Sequence, residues 1–305
     1  MGVVYTVALC THNHADRLRR TLADLPRIRP PRGAWELLVI DNASSDATPG
    51  LLAGHDWPQD WSVRVVREDR LGIANARNRA ITEARGDWLI FLDDDETAAP
   101  DWLCAYERLI EAHQPDAFGG RIEVLFEDPR PAWLSDELLG FLGRLDWSER
   151  TMPLNDPATP LYTGNFGFRR ALCERVGLFD QSLGRMGSEN NGGEDVDFYR
   201  RLVRAGAAVW WTPEAVIHHR IQAAKLNRRY FLDLHYRQGR MEARRREPSA
   251  PRWPPLYLYG QLLRATGAVW RGFRRGGWNA TLRLEMNVAY FLGKIIGWAS
   301  RPPAA

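Results

Sequence analysis

The chain has 305 residues, 45% of them hydrophobic, 26% charged and 11% aromatic, proportions that fit a folded protein with a real core and exclude a disordered or collagen-like one. Its net charge of +3 conceals a division: residues 1–219 hold 24 basic against 34 acidic side chains, net −10, and residues 220–305 hold 17 against 4, net +13. The two parts are therefore suited to different partners.

The first hundred residues alternate apolar runs of strand length with helical segments, the signature of βαβ units and a largely parallel sheet. Strands are expected at Val3 to Cys10, Trp35 to Asp41, Val63 to Arg67 and Trp88 to Asp93, with helices at Asp16 to Leu25, Asp46 to Ala53 and Ile73 to Glu83 between them. Ligands of such a sheet bind beyond the carboxyl ends of the strands. The polar clusters Thr11-His12-Asn13, Asp41 to Asp46 and Asp93-Asp94-Asp95-Glu96 stand at those ends and are expected to converge on one crevice. A helix at Asp101 to His113 and a strand at Ala117 to Val124 follow. Leu125 to Pro160, rich in Pro and Trp, reads as irregular, and order returns at Tyr162 to Arg169. Gly184 to Gly193 reads as a polar lid, Glu194 to Ala205 as a helix whose acidic start suits the positive end of its dipole, and Ala208 to Trp211 as a short strand before a loop at Thr212-Pro213-Glu214.

In the tail, Leu262, Leu263, Thr266, Val269, Trp270 and Phe273 recur at helical spacing, with Arg264, Arg271, Arg274 and Arg275 to the other side. That is a basic amphipathic helix. A second, more apolar helix is expected from Leu282 to Trp298. Helices of this kind in residues 251–300 suit an anionic membrane surface, and packing on the rest of the protein is the competing reading. Nucleic acid is not expected: clusters such as Arg244-Arg245-Arg246 come with no recognised nucleic-acid module. Cys10, Cys104 and Cys173 are odd in number and far apart, which supports neither a disulfide framework nor a cysteine zinc site and points to a reducing compartment. No secretion signal and no run of about 18 uncharged apolar residues is present, so a cytoplasmic protein, peripheral at the inner face of the cell membrane, is expected.

Three consecutive aspartates after the apolar strand Trp88 to Leu92 are the sharpest chemical signal. Adjacent carboxylates repel one another and gain nothing from burial unless a cation joins them, and a hard divalent ion, Mn²⁺ or Mg²⁺, would do so. A solvated acidic turn is the alternative. A nucleotidyltransferase or phosphohydrolase could use the same cluster, but a phosphate loop with a lysine is missing: the chain has only Lys225 and Lys294. A catalytically silent nucleotide-sugar-binding assembly protein is the third reading.

Taken together and in order, Cys10-Thr11-His12-Asn13, Asp41-Asn42-Ala43-Ser44-Ser45-Asp46-Ala47-Thr48, Gly72-Ile73-Ala74-Asn75-Ala76-Arg77-Asn78, Phe91-Leu92-Asp93-Asp94-Asp95 and Gly193-Glu194-Asp195-Val196-Asp197 resemble the motifs of the inverting family-2 glycosyltransferases of the GT-A fold. The resemblance runs through roughly residues 4 to 219. It implies an α/β architecture, a Rossmann-like, mostly parallel mixed sheet flanked by helices. A catalytic domain would cover residues 1–219, with a nucleotide-sugar half to about 124 and an acceptor half from 125, followed by a helical extension over residues 220–305. It implies transfer of a sugar from a nucleotide-diphosphate donor, UDP-sugars favoured, to a glycan hydroxyl, and the lipid-suited helices of the tail make a polyprenyl-linked glycan an expected acceptor.

By the same resemblance, Thr11, Asn13, Asp41, Asn42, Gly72, Arg77, Asp93 and Asp94 would bind the donor, Asp41 by accepting the uracil N3–H. Asp93, Asp95 and His218 would hold the metal, with His219 the weaker choice of histidine. Gly164 and Asn165 would lie beneath the sugar. Asp195 would be the general base, and Glu194 its neighbour. His12, where a tyrosine is common, and Arg70, where an asparagine is, depart from the pattern.

Overall fold

A computed structural model describes residues 4–186, 189–244 and 253–300. Its elements are, in order, β1 (Tyr5–Thr11), α1 (Ala15–Asp24), β2 (Trp35–Asn42), α2 (Thr48–Ala53), β3 (Ser62–Glu68), α3 (Ile73–Glu83), β4 (Trp88–Asp93), β5 (Glu96–Ala98), α4 (Trp102–His113) and β6 (Ala117–Phe126). There follow β7 (Met152–Pro153), β8 (Phe166–Arg169), α5 (Leu172–Val176), β9 (Gly184–Met186), β10 (Glu189–Asn191), α6 (Glu194–Arg204), β11 (Val209–Ile221), α7 (Arg228–Arg244), α8 (Leu256–Gly276) and α9 (Leu282–Ala299).

The strands run in the order β3-β2-β1-β4-β8-β6-β11-β5, with β7 on β11. The first four are mutually parallel and β8 reverses direction against β4, giving the mixed, flanked sheet of a GT-A fold. β1, β2 and β4 are buried along almost their whole length, which is why they read as continuous apolar runs and not as alternations. Register fixes what matters for function. Thr11 lies beside Asp41, and Cys10 beside Asp93, so the carboxyl ends of three strands come level at one edge of the sheet. On one side, Phe91, Phe168, Phe179 and Phe198 pack as a ring cluster, Phe179 and Phe198 stacked at 4.3 Å, and this seats α6.

Two expectations are corrected here. β11 is one strand of 13 residues, with no loop at Thr212-Pro213-Glu214. Pro213 falls between Trp210-Trp211, which pair with β7, and Ile217 to His219, which pair with β5, so its missing N–H interrupts neither ladder. Gly184 to Gly193, read as a polar loop, carries the short antiparallel hairpin β9-β10; Gly187 and Ser188 lie outside the described residues.

The chain divides into two units, residues 1–125 with 143–220, and residues 126–142 with 221–305. Residues 126–142 thus group with the helices that follow residue 220. There Trp133 packs on Phe231 and Phe141 on His235. The unit is helical. Its α7 buries Phe231, His235, Gly239 and Ala243 at four-residue spacing, a stripe of mixed chemistry on an otherwise charged helix. It forms because α9 packs on it nearly backbone to backbone: a Cβ on Gly239 would lie 2.0 Å from the Tyr290 carbonyl, and one on Gly293 2.0 Å from that of Tyr236. Among the described residues no helix is long and apolar enough to cross a membrane. Arg245 and Arg246 of the basic cluster lie outside those residues.

Candidate active site

The three polar clusters do meet, and the contacts divide them into side chains that build the crevice and side chains left to line it. Asp94 builds. It is buried, accepts from Thr11 Oγ1 at 2.6 Å and lies 3.0 Å from His14 Nδ1, while its carbonyl accepts from Thr21 Oγ1 at 2.8 Å. Asp94 and Thr11, both expected at the donor, are thus spent on each other, and they clamp the end of β1 to the turn after β4. Glu96 also turns inward, accepting the Asp93 N–H at 2.9 Å. Burial, reinforced by the charges of Asp93 and Asp95, pushes its carboxyl well above the ordinary carboxylate range. Asp93 and Asp95 keep 37% and 18% of their side chains exposed. Asp95 Oδ2 lies 3.5 Å from His219 Nε2 and 3.9 Å from Arg17 Nη1.

On the β2 side, Asp41 accepts the Ser44 N–H at 3.1 Å and a hydrogen bond from Arg67 Nη1 at 3.0 Å. Asn42, expected at the donor, is saturated within the protein: Oδ1 accepts the Gly72 N–H at 2.8 Å, and Nδ2 donates to the carbonyls of Arg70 and Glu68. It holds the turn that launches α3. At that turn Gly72 has φ +133°, a conformation side chains resist. Asn13, at φ +52°, accepts the N–H groups of Ser45 and Asp46 at 2.7 and 3.2 Å and so joins the first loop to the second. Of the two departures from the family pattern, Arg70 pairs with Glu68 at 2.9 Å, and His12 Nδ1 lies 2.6 Å from the Asn42 carbonyl.

Arg77 joins the two acidic motifs. Buried on α3, it hydrogen-bonds Glu194 Oε1 through Nη1, approaches Asp93 Oδ1 at 3.5 Å through Nη2, and lies 5.8 Å from the Phe179 ring centre. Among the described residues Glu194 Oε2 has no hydrogen-bond partner. One residue on, Asp195 accepts the Val196 N–H at 2.8 Å. Burial, and next the negative charge of Glu194, pushes its carboxyl up to about 6, with Arg77 opposing. Asp197, by contrast, pairs with Arg201 at 2.8 Å along the helix surface. Tyr162 stands near enough for the Asp195 charge to raise its hydroxyl, after burial; a single tyrosine at the start of an ordered segment gives no signal of this in the sequence.

Three expected site residues fall elsewhere. His218 pairs with Thr97 and His219 with Glu96 across β11 and β5; successive strand residues face opposite ways, so it is His219 that reaches Asp95. Asn165 is fully buried, with Oδ1 taken by Trp102 and Tyr106 and Nδ2 by the carbonyls of Arg121 and Ala215. Gly164 is buried too, and a Cβ there would lie 2.1 Å from Glu96 Oε1. Gly164 thus lies against the Glu96 carboxylate, while Asn165 ties α4 to the carbonyls of Arg121 and Ala215. Among the described residues no group of three or more His, Cys, Asp or Glu side chains is set to hold a metal.

The sequence pattern described as Glycosyl transferase family 2 matches residues 6–177. The chain is similar to the succinoglycan biosynthesis protein ExoM of Rhizobium meliloti (strain 1021), 26% identical over 242 residues that cover 78% of this chain and 74% of that one. In fold it is similar to the mannosyltransferase PcManGT from Pyrobaculum calidifontis in complex with GDP-Man and Mn²⁺, at TM-score 0.57 and 18% identity, covering 97% of this chain and 85% of that one. The crystal structure of S. aureus TarS 1-349 in complex with UDP is also similar, at TM-score 0.55 and 14% identity, covering 96% and 90%.

Proposed function

Since the chain belongs to glycosyl transferase family 2 and is a glycosyltransferase, we propose that its crevice moves a sugar from a nucleotide-diphosphate donor, a UDP-sugar by preference, to a hydroxyl of a glycan or polyprenyl-linked acceptor in cell-surface or exopolysaccharide synthesis, with inversion. The observation that carries this reading is the Arg77 bridge, which brings Asp93 at the end of β4 and the Glu194-Asp195 pair at the start of α6 to one guanidinium.

The site fits a hard divalent cation, Mn²⁺ or Mg²⁺. Asp93 and Asp95 concentrate enough charge to help raise the buried Glu96 carboxyl. Such ions take one or two carboxylates plus substrate phosphates, so no complete protein cage is required. Asp93, Asp95 and His219 would hold it, His219 replacing the expected His218. When bound, the ion supplies Lewis-acid stabilisation of the diphosphate leaving group.

Asp195 takes the proton of the acceptor hydroxyl as that oxygen attacks the anomeric carbon opposite the leaving diphosphate. A carboxyl near 6 is a stronger base than an ordinary aspartate and is still ionised at neutral pH. Arg77 keeps Glu194 from adding a second free charge beside it. Asp41, at the end of β2, accepts the N3–H of a uracil, with the half-exposed Arg67 moving aside. Acting on lipid-linked glycans places the protein at the cytoplasmic face of the cell membrane, reached through the basic helices between residues 251 and 300.

Asp195→Asn is expected to lower turnover by about 10²- to 10⁴-fold while thermal stabilisation by Mn²⁺ with UDP-, GDP- or dTDP-sugars is retained. Unchanged turnover would refute the base, and a protein stabilised by none of these donors would refute the donor class. His219→Ala, and not His218→Ala, should raise the Mn²⁺ concentration that the stabilisation requires.

A further inference from the structure

Resting on that membrane reading and narrowing it from two helices to one face, we propose that the outward side of α8 is the membrane-docking surface, and that its partner is an anionic phospholipid bilayer. The more apolar helix, α9, is held on its glycine side inside the second unit, and its exposed large apolar side chains are limited to Leu292 and Ile296 at 41% and 38%. Gly293 and Gly297 press it against the α7 backbone, and a Cβ on Gly297 would lie 2.5 Å from the Arg240 carbonyl. Met286 and Leu282 are buried. α8 packs on α9, where a Cβ on Gly272 would meet Leu284 at 2.7 Å, and its buried residues Leu258 and Ala265 share a side with the half-buried Leu262, Val269 and Gly272.

The other side of α8 is unlike a solvated helix face. At seven-residue intervals Leu256, Leu263 and Trp270 stand 86%, 75% and 61% exposed, with Tyr259 and Phe273 alongside. A run of large side chains in one stripe is a patch that soluble surfaces avoid. Beside it project Arg264, Arg271, Arg274 and Arg275, and the 21 residues of the helix contain no Asp, Glu or Lys. Charge selects the occupant. A second copy laid on this stripe would bring four arginines of each chain together with no acid from either helix to offset them. An anionic lipid surface offers phosphates to the arginines, an acyl boundary to Leu256 and Leu263, and the interfacial zone that Trp and Tyr prefer.

Flotation of the full chain with vesicles of phosphatidylcholine alone, and of phosphatidylcholine mixed with phosphatidylglycerol, tests this without donor or acceptor. The wild type should float with the mixed vesicles at low salt and be released at high salt. Leu263→Glu with Trp270→Glu should weaken that binding by about tenfold or more, and each Arg→Gln change among the four arginines by roughly fivefold. Leu178→Glu, at an exposed leucine of the first unit, should change nothing. Every altered residue is exposed, so thermal melting should be unmoved. Binding that survives the α8 changes, equal binding to neutral vesicles, or a dimer in sedimentation that Trp270→Glu dissolves would each overturn the proposal, the last by assigning the stripe to a second copy. Because flotation needs no sugar transfer, failure of the docking surface is distinguishable from failure of the transferase reading.

Discussion

In the first unit the charges that matter are buried against one another, Arg77 between Asp93 and Glu194 and Asp94 among Thr11 and His14, whereas in the second unit four arginines of α8 stand in solvent and the tightest helix contacts are made by glycine against backbone. The difference follows from what each surface must do. A transfer reaction needs charges fixed to within a fraction of an ångström, and burial fixes them, because a desolvated ion that drifts from its partner loses several kcal/mol. A surface that meets a fluid bilayer gains from charges free to adapt, so its rigidity is supplied by the uncharged side of the helices.

The comparison is broken most severely by deleting one member of the buried network. Arg77→Met leaves the buried Glu194 without its cation, and should cost about 3–5 kcal/mol of stability as well as the transfer activity. Adding Glu194→Gln should return part of that stability but none of the activity, since the charge imbalance is relieved while the bridge stays absent. A double variant no more stable than Arg77→Met would show that the ion pair is not what holds α6 to α3. In the second unit the corresponding weakness is steric. Gly293→Ala should cost about 1–3 kcal/mol, because its Cβ would sit 2.0 Å from the Tyr236 carbonyl and backbone must move to admit it. Donor-induced stabilisation of the first unit should persist in that variant, and its loss would refute the view that the two units answer to different forces.

How much of this the sequence discloses depends on whether the force that fixes a residue is local. β1, β2 and β4 are legible because burial on both faces demands unbroken apolar runs, and α3 because Gly72 starts it. The acidic turn is legible because three adjacent carboxylates have no structural excuse. What escapes is assigned by distant partners. Asp94 looks like its neighbours, and only Thr11 and His14, some eighty residues away, turn it inward. The choice between His218 and His219 depends on the register of β11 against β5, and Asn165 depends on Trp102 and Tyr106 finding it. α7 exists because α9 offers it a backbone.

The pH-dependent effect is the most diagnostic of how the catalytic charge is held. The Asp195 carboxyl sits at about 6 in the folded protein against an ordinary value of 3.8, so the folded state keeps its proton longer than the unfolded chain does. Below 3.8 both states are protonated and the residue is neutral in the balance. Between 3.8 and about 6 the unfolded chain has released the proton and the folded one has not, so stability falls as pH rises, by at most about 1.4 kcal/mol per pH unit. Above about 6 the penalty is complete and constant. Asp195→Asn removes it, so in the absence of donor and metal the variant should melt above the wild type at pH 7 to 8, with the gap closing toward pH 4. Turnover of the wild type should show the same group from the other side, rising about tenfold per pH unit up to about 6 and then levelling. Melting curves for the two proteins that stay parallel across that range would mean that Asp195 is an ordinary surface acid, and the buried character ascribed to the first unit would then stop short of its base.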